Sequence, residues 1–126
     1  MPRTGSVLPR LWTDSIFTEP VRRLNLPDAL TVGVLSGEGV GPEVVDAALC
    51  VLSALPMSGR TRFVIRSGGA IGAQSEARCG KPLSPEVIEF CRRVFSEKGA
   101  VLSGPGGGRF VYDLRREFDL FCKISP

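Results

Sequence analysis

The chain of 126 residues contains no histidine, one tryptophan and one tyrosine. Its four cysteines, Cys50, Cys79, Cys91 and Cys122, stand far apart and form no CxxC pair. Without imidazoles or paired thiols, a zinc site of the usual kind is excluded. Trp12 and Tyr112 alone make no stacking platform for nucleic-acid bases. The net charge is +3, with the basic residues scattered among nearly as many acids, so nucleic acid is not an expected partner. No apolar run reaches the length of a bilayer span, so no membrane partner is expected either. With no secretory signal in view, the thiols read as reduced, buried side chains of a cytoplasmic protein.

What is present is the composition of a globular chain, 43% hydrophobic and 23% charged, enough for one hydrophobic core. Residues 1–29 carry four prolines and no sustained period, and read as an extension that is wrapped on the surface or irregular. Arginines at 3, 10, 22 and 23 resemble those of a transit peptide, but Asp14, Glu19, Asp28 and the prolines argue against that reading.

From Leu30 the pattern becomes regular. "LTVGVL", 30–35, is a short apolar, partly β-branched run with the character of a strand buried on both faces. A glycine loop follows, and then "PEVVDAALCVLSAL", whose Pro42 and Glu43 are helix start signals. Val44, Val45, Ala48, Val51, Leu52 and Leu55 fall on one side of that helix, which should pack on a sheet. "TRFVIRS", 61–67, is a second strand, ended by the break "GGAIG". "SPEVIEFCRRVFSEKG" has Ser84 to cap a helix, Pro85 to open it and Gly99 to stop it. "AVLS", 100–103, is a third strand, "GPGGG" another glycine turn, and "DLRREFDLF", 113–121, a short helix with Leu114, Phe118 and Phe121 on one side. This alternation predicts an α/β fold, a parallel sheet in a three-layer domain. Ligands of such sheets bind beyond the carboxyl ends of the strands, where both glycine loops fall.

The loop Gly37, Glu38, Gly39, Val40, Gly41 does not complete a dinucleotide fingerprint, because Pro42 stands where the last glycine should be. No Gly-Lys-Ser or Gly-Lys-Thr makes it a P-loop, and Glu38 and Glu43 would repel a pyrophosphate. The plainer reading is a sharp turn that needs positive φ before a helix.

"TVGVLSGEGVGPEVVDAALCVL" nevertheless resembles the opening of the isocitrate/isopropylmalate dehydrogenase family, the metal-dependent β-decarboxylating dehydrogenases, whose first strand enters a Gly-Asp-Gly-Ile-Gly-Pro-Glu loop. Glu38 replaces the usual aspartate and Val40 the isoleucine. "GGAIG", "LSPEVIEFCR", "GAVLSGPGG" and "LRREFDLFCKISP" are similar to further family segments in the same order. The resemblance covers residues 30–126. It implies the amino-terminal portion of an incomplete isopropylmalate-dehydrogenase-like fold behind the 1–29 extension.

The resemblance also implies roles. Arg115 matches a family arginine that grips the carboxylates of a malate-type acid, a task its rigid two-pronged fork suits. The plainer alternative is a solvent-facing residue paired with Asp119. Where the family has a second arginine this chain has Ser125, and Lys123 replaces an asparagine. Lys123 is either a substitute cation for the substrate or an exposed residue. Gly37, Glu38, Gly39, Val40 and Gly41 are candidates for contact with the nicotinamide end of NAD or NADP. Tyr112 and Asp113 match only by position, and Arg116 and Glu117 read as a solvated face.

The family oxidises a 2-hydroxy acid with NAD or NADP and expels carbon dioxide with Mg2+ or Mn2+. Its catalytic tyrosine and lysine and its metal-binding aspartates lie downstream of the matched segments. Two readings follow. In one, the chain supplies the substrate-gripping portion of a dehydrogenase for a small dicarboxylate or tricarboxylate, as a homo-oligomer or with the missing polypeptide. In the other, it is a truncated, non-catalytic homologue that binds a dicarboxylate or a full-length subunit.

Overall fold

The computed structural model describes residues 27–55, 60–107 and 109–120. In chain order the elements are β1 (Ala29–Leu35), α1 (Gly41–Ala54), β2 (Arg62–Ser67), α2 (Ala73–Cys79), α3 (Pro85–Ser96), β3 (Ala100–Ser103) and α4 (Phe110–Glu117). The strands form a parallel sheet in the order β2-β1-β3, with Val32 opposite Ile65 on one side and Ala100 on the other. The fold is α/β, as the alternation of strand and helix signals implies.

The first crossover, through α1, runs from β1 to one edge, and the second, through α3, runs back past β1 to the other. Right-handed crossovers in opposite directions place their helices on opposite faces. The side chains agree with that arrangement. Gly33 lies against Val94 and Phe90 of α3, and Leu35 joins Val87, Phe90, Cys91 and Val94 in the core. On the other face Phe63 and Ile65 share a groove with Leu49 and Leu52 of α1. The core therefore sits mainly between the sheet and α3, extended by Ile71, Leu83, Phe110 and Leu114. Thr31 ties β1 to this layer, donating to Glu97 Oε2 at 3.0 Å while Arg66 of β2 pairs with Glu97 Oε1.

Several local expectations need correction. The apolar side of α1 does not close onto the sheet as a whole: Val45 is buried, but Val44, Val51 and Leu55 are exposed. The reason is rotational. Val45, Leu49 and Leu52 point at the sheet, whereas Val40, Val44 and Val51 recur at offsets of 4 and 11 and lie together on the outer side, and Leu55 is past the helix end in extended backbone. The helix α2 was not legible, since "AQSEARC" has no apolar period. The last helix begins three residues earlier than expected, anchored by buried Phe110, and ends at Glu117. Phe118 is its cap, and Phe121 lies outside the described residues.

Ser84 caps α3 as expected, accepting the Val87 amide at 3.2 Å. The stop is different. Lys98, not Gly99, takes the left-handed conformation, φ 58°, while Lys98 N donates to Phe95 O and Gly99 N to Val94 O, the paired bonds of a Schellman turn. Gly99 is needed for closeness, because a Cβ there would stand 2.6 Å from the Thr31 carbonyl oxygen.

The expectation of buried thiols holds only for Cys91. Cys50 and Cys79 are exposed free cysteines, because they occupy the outer side of α1 and the end of α2. Cys122 lies outside the described residues. Among the described residues no helix is long and apolar enough to cross a membrane.

Candidate functional site

The chain leaves β1 for one edge of the sheet and later reaches β3 at the other. The crevice between the carboxyl ends of β1 and β3 is therefore the switch point at which open α/β sheets receive ligands. The loop Ser36–Val40 forms one lip and Gly104–Gly107 the other. Backbone bonds draw the lips together: Gly104 N donates to Leu35 O at 2.8 Å, and Glu38 N donates to Pro105 O at 2.7 Å. Gly37 has φ 78°, and a Cβ there would strike the Pro105 carbonyl. A side chain at Gly37 would thus be strained by its backbone and blocked by its neighbour.

Glu38 turns inward. Its Oε1 accepts the Gln74 amide at 2.7 Å and its Oε2 the Gly107 amide at 2.9 Å. Its carboxyl is held below its ordinary range by the hydrogen bond from Gly107 first and that from Gln74 second, against an opposing desolvation. The charge that would repel a phosphate is thereby committed to two backbone donors. One residue ties together the loops after β1 and β3 and the start of α2. Gly41 opens α1 and is buried, whereas Gly39 and Val40 form the exposed tip, with open space beside Gly39.

The clamped Gly104–Gly107 loop leads directly into α4. There Phe110 and Leu114 are buried, while Arg115 and Arg116 project from the last turn. Arg115 is exposed, and its carbonyl accepts the Leu120 amide at 2.9 Å. The helix ends before Asp119, which has φ 50°, so the two do not form an i, i+4 helical pair. Tyr112 is exposed. Lys123 lies outside the described residues.

The neighbouring cleft, about 360 Å³, is lined by Lys81, Pro82, Leu83, Ile88, Asp113, Arg116 and Glu117. Arg116 and Glu117, read from the sequence as solvated, thus border a recess; Glu117 is bonded at 3.3 Å by Arg92, which also holds Glu89. Nothing in the sequence pattern marked this cleft, because Lys81 and Arg116 come to its rim only through the fold. Among the described residues no three His, Cys, Asp or Glu side chains gather to hold a metal ion.

Comparison with known proteins supplies the relationship. No family model matches the chain. It is 31% identical over 108 residues to the 3-isopropylmalate dehydrogenase of Aquifex aeolicus, an alignment covering 75% of this chain and 28% of that protein. It is 30% identical over 110 residues to the 3-isopropylmalate dehydrogenase of Heyndrickxia coagulans, covering 77% and 29%. The chain is a homologue of the decarboxylating dehydrogenases. Its fold agrees: the structure of a β-decarboxylating dehydrogenase from Thermococcus kodakarensis, in its apo form, superposes with a TM-score of 0.51 and 35% identity, over 71% of this chain and 27% of that one. This homologue spans less than a third of the length of the curated dehydrogenases it matches.

Proposed function

We propose that residues 30–126 are the amino-terminal, substrate-gripping portion of an NAD- or NADP-dependent dehydrogenase that oxidatively decarboxylates a malate-type 2-hydroxy acid of the 3-isopropylmalate or isocitrate class. The observation that carries this reading is the meeting of the family-like loop, Gly37–Gly41, with the loop leading to Arg115 at the switch point of the sheet. Arg115 offers the substrate a two-pronged carboxylate contact. Lys123 adds a second cation. The exposed Gly39–Val40 tip has room for the flat edge of a nicotinamide, which supplies the hydride acceptor when bound. Pro42 offers no amide there. Among the described residues no cluster fits a divalent ion; in this reading Mg2+ or Mn2+ is held with ligands from a homo-oligomeric partner or from the portion that longer relatives carry. The exposed free thiols of Cys50 and Cys79 suit a cytoplasmic, reducing setting.

The test is titration of the isotopically labelled chain with 3-isopropylmalate and isocitrate. The Arg115 side-chain signals should shift with one of them, and Arg115→Gln should weaken that binding by about tenfold or more, as expected for loss of a charged hydrogen-bond pair. Absence of any shift at Arg115 rejects the substrate role. A second reading, a non-catalytic homologue that binds a dicarboxylate or docks on a full-length subunit, is favoured by Ser125 in place of the family arginine. Hydride transfer to NAD or NADP after supplementation with downstream family polypeptide and Mg2+ separates the two, since only the first reading allows it.

A further inference from the structure

The two faces of the sheet are covered unequally. The α3 side is closed, but on the α1 side Ile65 is 43% and Leu55 46% exposed. Together with Leu49, Leu52, Phe63 and Arg62 they line a groove of about 320 Å³. The outer valines Val44 and Val51 are exposed as well, on the far side of α1. Contiguous apolar surface of this kind marks a place where something docks.

The chain itself enters at the rim of this groove. Asp28 O accepts the amide of Arg62, a groove residue, at 3.0 Å, and Ala29 sits opposite Arg62 in the sheet. Residues 1–26 therefore join the fold beside the groove. Their sequence suits it: Leu11, Trp12, Ile16 and Phe17 are apolar, and Asp14 among them carries charge opposite to that of Arg62, although Arg10 precedes this stretch and Arg22 and Arg23 follow it. The nine residue steps from Phe17 to Leu26 reach up to about 30 Å when extended, more than the roughly 20 Å of a six-residue strand. We propose that Leu11–Phe17 seats on the α1/β2 groove, with Trp12 as its aromatic anchor, so that the chain covers its own open sheet face.

Trp12 is the sole tryptophan, so its fluorescence reports the contact directly. In the full chain its emission should lie to the blue of that in urea and resist iodide quenching. Ile65→Asp and Leu55→Asp, both at partly exposed positions, should shift it red and raise quenching severalfold with the far-ultraviolet circular dichroism unchanged. Lys81→Glu, outside the groove, should do neither. A photo-crosslinker at position 12 of the otherwise unaltered chain should capture peptides of α1 or β2, and this reads the contact even where a groove variant fails to fold. A tryptophan as exposed as in urea, or crosslinks only to other elements, overturns the proposal. So does blue emission that is lost on dilution together with a dimer mass in sedimentation, because the face would then join two copies.

Discussion

The Glu38 carboxylate accepts the Gly107 amide at 2.9 Å across 69 positions of sequence. The same side chain accepts the Gln74 amide, and its own amide donates to Pro105 O. Both lips of the switch-point crevice are thereby fixed by one residue.

A pH dependence follows from that clamp. The Glu38 carboxyl is lowered from 4.5 by its backbone donors, so the folded state binds its proton less readily than the unfolded chain does. The contribution is fully present above the unfolded value, and is lost as pH falls through the lower folded value. Amide exchange at Gly107 and Gln74 should be slow at neutral pH and rise in acid beyond the intrinsic trend. Glu38→Gln should raise it at neutral pH and abolish its acid dependence. Equal protection in the variant would mean that the loops are held without the carboxylate.

A second prediction concerns the end of α3. Lys98 sits at φ 58°, a conformation that costs a side-chain-bearing residue about 1–2 kcal/mol. Lys98→Gly removes that strain but increases the freedom of the unfolded chain, which takes back about 0.5–1 kcal/mol. The net expectation is stabilisation of about 0.5–1 kcal/mol, read as a higher midpoint in urea with an unchanged slope. Gly99→Ala should move the midpoint the other way, since its Cβ would press on the Thr31 carbonyl.

These two neighbours illustrate what sequence could and could not disclose. The strands β1 and β3 were legible because short apolar runs between turn residues have few other uses. The start of α3 was legible because Ser84 and Pro85 each act on the next turn. Its stop was misassigned because glycine normally takes the left-handed position, whereas here Gly99 is required by contact with Thr31 of β1, far away in sequence. The same distinction separates Val45 from Val44. Helical period identifies an apolar stripe, but only the placement of the helix on the sheet decides which part is covered. At the candidate site, the glycine loop and the Leu-Arg segment could be picked out as local motifs, with the roles read into them still those of a proposal. The inward turn of Glu38 and the cleft beside Arg116 depend on segments that meet only in the fold.

Cysteine reactivity offers an independent check of the core. Cys91 is buried and its thiol is pushed up to about 11 by desolvation, so at pH 8 only about one in a thousand is thiolate. Cys50 and Cys79 are exposed. A thiol reagent at pH 8 should label both rapidly and label Cys91 only after unfolding, as read by peptide mapping. Comparable labelling of all three in the native chain would contradict the packing of α3 on the sheet.

The last prediction joins the core to the crevice. Phe110 is 2% exposed, and Gly106 lies against its ring so closely that a Cβ would approach to 2.7 Å. The ring supports from below the loop that Glu38 holds from the side. Phe110→Ala should cost about 3–5 kcal/mol, a large share of the roughly 5–15 kcal/mol that domains of this kind possess. Phe110→Leu keeps most of the volume and should leave the chain folded, yet raise exchange at Gly107. If the leucine variant kept full protection there, the loop would owe its position to the Glu38 and Pro105 bonds alone, and the crevice would be shaped from one side only.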